Sequence, residues 1–266
     1  MRILCLLKPV IDVDQLRYDR DRNTLLREQA RLMLNPEDAT AAATALEIKR
    51  AVPATYIEAV SMAPRAARPH LEDLVRRGFD QAALLCDPRY AGSDTWATSR
   101  VLARYLRTRE YDSIFCGTHT LDGGTGQVPA QIAELLGLPV MVGITTLVEL
   151  DPRKGQAVVD VDGETALLRF SVALPAVLGF QYRPERKLPY LRPADLQRDV
   201  SDQVMVLGNT ELGMDEAELG LRGSLTQVRH IAVEAREAKA PLRLRVDREG
   251  LDQVCRWLEQ RGFLQP

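Results

Sequence analysis

At 266 residues the chain is long enough to bury one sizeable core with an appended lobe. Its 45% hydrophobic and 27% charged content is that of a soluble globular protein, and a formal net charge of −2 lacks the basic excess of a general nucleic-acid binder. No apolar run reaches the length of a membrane span, and Met1-Arg2-Ile3 leads into a strand pattern rather than a signal peptide, so a reducing cytoplasmic setting is expected.

Residues 2–8 form a short apolar run closed by Pro9, which predicts a buried strand opening an α/β domain. Residues 16–34 are polar and extended, with turn residues at 19–23, and predict a small hairpin excursion. Asn35-Pro36 has the form of an N-cap followed by proline at the first helical position, ahead of an alanine-rich helix over 37–50. Further strands are predicted at 55–62, 81–86 and 111–116. Helices alternate with them: one around 71–77 ending at Gly78, one over 94–107 capped by Ser93, and one over 127–136 closed by Gly137. This alternation implies right-handed crossovers and a mainly parallel, doubly wound, Rossmann-like sheet covered on both faces. Ligands of such sheets bind outside the carboxyl ends of the strands, where the loops 9–12, 87–95 and 117–125 fall.

The pattern changes from residue 140. Segments 145–149, 156–162 and 164–170 predict a β-meander, and 174–180 returns a strand to the core. Beyond about residue 182 the chain is rich in arginine and proline, then irregular through Gly223. A last amphipathic helix over 249–262 carries Leu251, Val254, Cys255 and Leu258 on one face. The expected organisation is a nucleotide-binding α/β domain over 1–190, including a meander at about 140–180. A C-terminal arm over 191–266 is expected to dock on a partner subunit.

Residues 116–128 are the most informative stretch. Gly117, Gly123, Gly124 and Gly126 lie between a strand and a helix, where backbone N–H groups can crowd around an anion and the helix N-terminus adds partial positive charge. Thr125 and Gln127 supply side-chain hydrogen bonds there, and His119 lies in the same loop. An ordinary tight turn explains the glycines equally well on this stretch alone. The four cysteines, at 5, 86, 116 and 255, have neither metal nor redox-motif spacing. None of His70, His119 and His230 sits in a nucleophile motif, and Asp12, Asp38 and Asp122 do not complete an octahedral oxygen set. No catalytic side chain and no metal site is expected.

Five segments in order carry a resemblance: Lys8-Pro9-Val10-Ile11-Asp12, Leu34-Asn35-Pro36-Glu37-Asp38, Ala91-Gly92-Ser93-Asp94-Thr95-Trp96-Ala97-Thr98, Leu121-Asp122-Gly123-Gly124-Thr125-Gly126-Gln127-Val128, and Leu219-Gly220-Leu221-Arg222-Gly223-Ser224-Leu225-Thr226-Gln227-Val228. Together they resemble the beta subunit of electron-transfer flavoproteins. The resemblance implies a subunit that pairs with an alpha subunit and holds FAD, or alternatively AMP, to carry electrons from a donor to an acceptor. The redox partner would be an acyl-CoA dehydrogenase or a quinone- or ferredoxin-linked enzyme. It also implies site roles. Asn35, Pro36 and Asp38 would lie near adenine and ribose, and Leu6 and Met62 would contact the adenine. Gly117, Thr118, His119, Asp122, Gly123, Gly124, Thr125, Gly126, Gln127 and Val128 would wrap the phosphates. Thr95 and Thr98, three apart behind Asp94, would face a pyrophosphate or flavin edge; with the compact loop, they are similar to the FAD-binding subgroup linked to electron bifurcation. Trp96 is placed where it could flank a flavin.

The chain departs from the family at Gly124, usually acidic, at Pro129-Ala130, usually Gly-Pro, and across residues 182–191. The competing reading is a non-redox AMP- or ATP-binding scaffold or sensor of a larger complex; an adenylate-forming or hydrolysing enzyme is a third.

Overall fold

Short runs of aliphatic residues become strands, and the alanine- and leucine-rich segments between them become the helices that cover them. The computed structural model describes residues 1–12, 18–19, 24–25, 32–227 and 243–264. The chain divides into two units, Met1–Gln227 and Val228–Pro266. In the first unit the elements are β1 (Arg2–Leu6), β2 (Pro9–Ile11), β3 (Tyr18–Asp19), β4 (Thr24–Leu25), β5 (Leu32–Leu34), α1 (Pro36–Ala51), β6 (Tyr56–Met62), α2 (Arg68–Arg77), β7 (Gln81–Leu85), α3 (Thr95–Leu106), β8 (Ser113–Gly117) and α4 (Val128–Leu136). They continue as β9 (Val140–Asp151), β10 (Gln156–Asp162), β11 (Leu167–Ala173), β12 (Val177–Phe180) and β13 (Val204–Leu207).

One nine-stranded sheet, in the order β11-β10-β9-β12-β8-β1-β6-β7-β13, organises this unit. Its centre is parallel throughout, from β12 through β8, β1, β6 and β7 to β13. Successive strand side chains point to opposite faces. Ile3 and Cys5 accordingly pack with Ala41, Ala42, Ala45, Leu71 and Leu74 of α1 and α2. Leu4 and Leu6 pack with Val101, Leu102, Tyr105 and Ile132 of α3 and α4. The crossovers through α1 and α2 lead away from β1 in one direction, and α3 returns the chain to β8 on the other side of β1. That reversal makes the β1/β8 boundary a topological switch point, where open α/β sheets place their ligands.

The meander, formed by β9, β10 and β11, continues the main sheet as expected of a part of this domain; its strands pair antiparallel with one another, and β12 inserts between β9 and β8 and pairs parallel with both. Three sequence expectations shift. The third strand of the meander begins at Leu167 rather than 164, since Gly163 donates to the carbonyl of Ala166 and closes a turn there. The cap of α3 is Asp94, not Ser93. The Asp94 carboxylate accepts the N–H of Ala97 at 3.0 Å, while the Ser93 hydroxyl donates to the carbonyl of Tyr90. Finally, the stretch read as irregular contains β13, which pairs parallel with β7, so the first unit runs past residue 190.

The hairpin excursion is present in its described parts: β3 pairs with β4, and β2 with β5, all antiparallel, while the turn expected within 19–23 falls largely outside the described residues. Segment 182–191 lies over α1, with the N–H of Arg183 donating to Thr40 and the Arg186 guanidinium to Thr44 and Glu47. In the second unit α5 (Arg248–Gln260) is capped by Asp247, which accepts the N–H of Gly250, and the Arg261 guanidinium stacks over the Trp257 ring at 4.6 Å. Among the described residues no helix is long and apolar enough to cross a membrane.

Candidate nucleotide site

Register brings the carboxyl ends of β1, β6, β7 and β8 level, with Leu6 beside Val60 and Met62 beside Leu85. The loops that follow these strands ring a cavity of about 890 Å³. Leu6, Val60, Met62, Leu85 and Leu102 form an apolar floor, and the rim is polar backbone and hydroxyl.

The first turn of α1 holds this rim together. Asp38, buried at 4% exposure, accepts the N–H of Lys8 at 2.7 Å and the N–H of Gly117 at 2.8 Å, tying the ends of β1 and β8 to one carboxyl. Burial pushes its pKa up to about 7, although the two N–H donors and Asn35 pull the other way. Only glycine fits at 117, because a Cβ would approach Asp38 Oδ1 to 2.6 Å and Glu37 Cβ to 2.7 Å. Asn35 precedes α1 without capping it by its side chain. Its Nδ2 instead donates to the His119 carbonyl at 2.8 Å, and its Oδ1 accepts the N–H of Leu121 at 3.2 Å. Glu37 accepts the N–H of His119, and Lys8 bridges to Asp122 at 2.7 Å. Three neighbouring residues of one helix start thus fix the glycine-rich loop from beneath.

On the opposite side, α3 and α4 begin side by side. Thr95 Oγ1 donates to Gln127 Oε1 at 2.8 Å, and one turn on Ser99 donates to Gln131 at 2.9 Å. Both helix N-termini therefore lie at the same space and add partial positive charge to it, although Asp94 already takes the Ala97 N–H of α3 and Pro129 leaves α4 one donor short. Asp94 also accepts the N–H and hydroxyl of Thr226, at 2.8 and 2.9 Å, which fastens 220–226 to the α3 start. Burial raises the Asp94 pKa, but these donors and the Ala97 N–H outweigh it and hold the carboxyl below its usual range.

The cavity is lined by Leu6, Asp38, Met62, Asp94, Thr95, Thr98, Gly117, Thr118, His119, Gly123, Thr125, Gly126, Gln127 and Val128. Asn35, Pro36, Asp122 and Gly124 stand behind that lining, Asn35 and Asp122 as the hydrogen-bonded supports just described, and Trp96 does not reach it. Sequence reasoning missed Lys8, Tyr90, Thr226 and the loop Ala63-Pro64-Arg65 as lining residues. The last was legible: it follows a parallel strand, as the glycine-rich loop does, but carries no glycine to draw the eye. Among the described residues no three His, Cys, Asp or Glu side chains gather as a metal site would require.

The Lys8–Asp122 pair is partly exposed, and such pairs contribute about 0.2–1 kcal/mol. Asp122→Ala should therefore weaken ligand retention by no more than about fivefold, read by equilibrium dialysis.

Comparison with known proteins gives this architecture its family. The electron transfer flavoprotein domain matches residues 23–184. The chain is 32% identical over 240 residues to the electron transfer flavoprotein subunit beta of Thermoanaerobacterium thermosaccharolyticum, covering 86% of each. It is 31% identical over 229 residues to the caffeyl-CoA reductase-Etf complex subunit CarD of Acetobacterium woodii, again covering 86% of each. Against protein FixA of Azotobacter vinelandii it is 30% identical over 246 residues, covering 90% of this chain and 86% of that one. The segments that form the cavity rim lie within a likeness spanning nearly the whole chain: it belongs to the electron transfer flavoprotein family, as a beta subunit.

Proposed function

We propose that this chain is the beta-type electron-carrying subunit of a heterodimer with an alpha-type subunit, and that its cavity holds FAD. The observation that carries the reading is the cavity itself. At about 890 Å³ it lies near the top of the ~300–1,000 Å³ range of small-molecule sites, which leaves room for a dinucleotide. Two adjacent helix starts at its rim suit a diphosphate. At Gly126, where φ is +63°, a Cβ would approach the His119 ring to 2.9 Å, so the loop beside the cavity requires glycine there.

When bound, the flavin supplies the electron-transfer chemistry. The chain's residues supply position and electrostatics. The starts of α3 and α4 would hold the phosphates, Thr98 and Thr125 would add hydroxyls, and the floor of Leu6, Val60 and Met62 would exclude water from a bound ring system. Lowered polarity there strengthens every charge interaction with the ligand. The names of the relatives, a subunit beta and a subunit of a reductase-Etf complex among them, support a partner subunit and an electron-transfer role.

The test is the visible spectrum and nucleotide content of the chain purified with its alpha partner. Two flavins per heterodimer are expected. One flavin with one AMP would replace FAD by AMP in this cavity, and a colourless complex retaining AMP or ATP would favour a non-redox scaffold.

A further inference from the structure

The lysine, arginine, histidine and acidic side chains that line the cavity are Lys8, Asp38, Arg65, Asp87, Asp94 and His119. Lys8 is paired with Asp122, and Asp87 with Arg89 at 2.8 Å. Asp38 is held by two backbone N–H groups, and Asp94 by Ala97 and Thr226. The His119 ring lies 3.9 Å from Glu37. Arg65 stands apart: among the described residues its exposed guanidinium makes no hydrogen bond and no ion pair.

Its backbone is nonetheless fixed. Pro64 precedes it with a set φ, Ala63 N–H donates to the Leu85 carbonyl at 3.2 Å, Ala67 N–H donates to the Pro64 carbonyl at 2.9 Å, and Ala67 is fully buried. The loop thus presents a cation over the cavity from a rigid mount. β6 lies two strands from β8, so Arg65 stands about 10 Å along the sheet edge from the glycine-rich loop. A guanidinium with five donors, carried on a fixed backbone beside an apolar floor, is suited to a planar or tetrahedral oxyanion.

We propose that Arg65 pairs with an anionic oxygen of the bound nucleotide, on a diphosphate or on the pyrimidine edge of a flavin. The proposal rests on the nucleotide reading of the cavity. It is tested on the full chain in complex with its alpha partner, wild type against Arg65→Gln, Arg65→Glu and Arg65→Lys. FAD, ADP and AMP affinities are measured by calorimetry, and the flavin midpoint potential by redox titration.

If the partner oxygen is on a diphosphate, Arg65→Gln weakens FAD and ADP about tenfold and AMP less than twofold. If it is on the flavin, oxidised FAD still binds within twofold. The reduced form then binds about tenfold less well, a drop of about 30 mV for a two-electron couple. In either case Arg65→Glu exceeds Arg65→Gln, and Arg65→Lys restores most of the effect. Wild-type levels of all three affinities and of the potential in both Arg65→Gln and Arg65→Glu overturn the proposal while leaving the nucleotide site standing. A wild-type complex that binds none of the three nucleotides overturns both.

Discussion

Replacing Asp38 with alanine should cost the fold about 3 kcal/mol or more and open the nucleotide site. The carboxyl accepts backbone N–H groups from the ends of two different strands, Lys8 after β1 and Gly117 at the end of β8. Removing it leaves both donors without their acceptor, and each buried unsatisfied donor costs about 1–3 kcal/mol. For a chain of this size the melting temperature should fall by about 6–12 °C, and FAD retention should fall with it. Asp38→Asn should lie between, because an amide satisfies one donor and turns its own N–H toward the other.

Asp38 also carries a pH signature. Its pKa is raised to about 7 in the folded chain, burial being the main cause, against the ordinary carboxylate value near 4 when unfolded. The folded state therefore binds a proton that the unfolded state has released, and stability from this group is complete at low pH and lost as pH rises through about 7. Wild type should lose stability between about pH 4 and 7 relative to Asp38→Asn, which has nothing to titrate at this position. Urea denaturation across that range checks it; parallel pH profiles for the two proteins would refute the assignment.

The second large effect lies away from the cavity. Glu58, in the middle of β6, is 2% exposed and accepts the hydroxyl of Tyr105, and Arg109 donates to that same hydroxyl at 2.8 Å with its Nε 3.5 Å from Glu58. Removing one partner of a buried charge leaves the other uncompensated, at about 3–5 kcal/mol in fully buried cases. Arg109 is partly exposed, so Arg109→Ala should cost somewhat less, about 2–3 kcal/mol. Glu58 sits four residues before Met62, about 13 Å along the strand from the cavity floor. FAD affinity should hold within twofold, in contrast to Asp38→Ala. Adding Glu58→Gln should recover part of the loss by removing the stranded charge. A loss of FAD affinity equal to that of Asp38→Ala would show the two clusters to be one unit.

What could be read in the sequence was what local pattern encodes. The apolar runs at 2–8, 55–62, 81–86 and 111–116 and the helices between them mark the parallel core to within a residue or two, and chain order then places its loops at one edge. Segments such as Asp94-Thr95 and Gly123-Gly124-Thr125-Gly126 are marked as site residues by the family resemblance, and of these all but Gly124 line the cavity. Illegible were pairings set by distant partners. Val204-Met205-Val206-Leu207 is a four-residue run in a polar tail, and only the open edge of β7 makes it a strand. Asn35 reads as a cap until Leu121 and His119, some 85 residues on, claim both ends of its amide. Arg65 carries no motif at all, and its interest lies in what its neighbours lack.

The place of β13 has a bearing on how the chain is made. Until β13 is available, β7 is the rim of the central sheet, a bare ladder of N–H and C=O groups flanked by buried alanine and leucine. The residues that cover it follow roughly 120 positions later, about 6–24 seconds of synthesis at ~5–20 residues per second. Through that interval a nascent chain offers β7 to any passing extended segment. Protection of the growing polypeptide, by a chaperone or by early arrival of a partner subunit, should therefore matter most while residues 86–207 are being made.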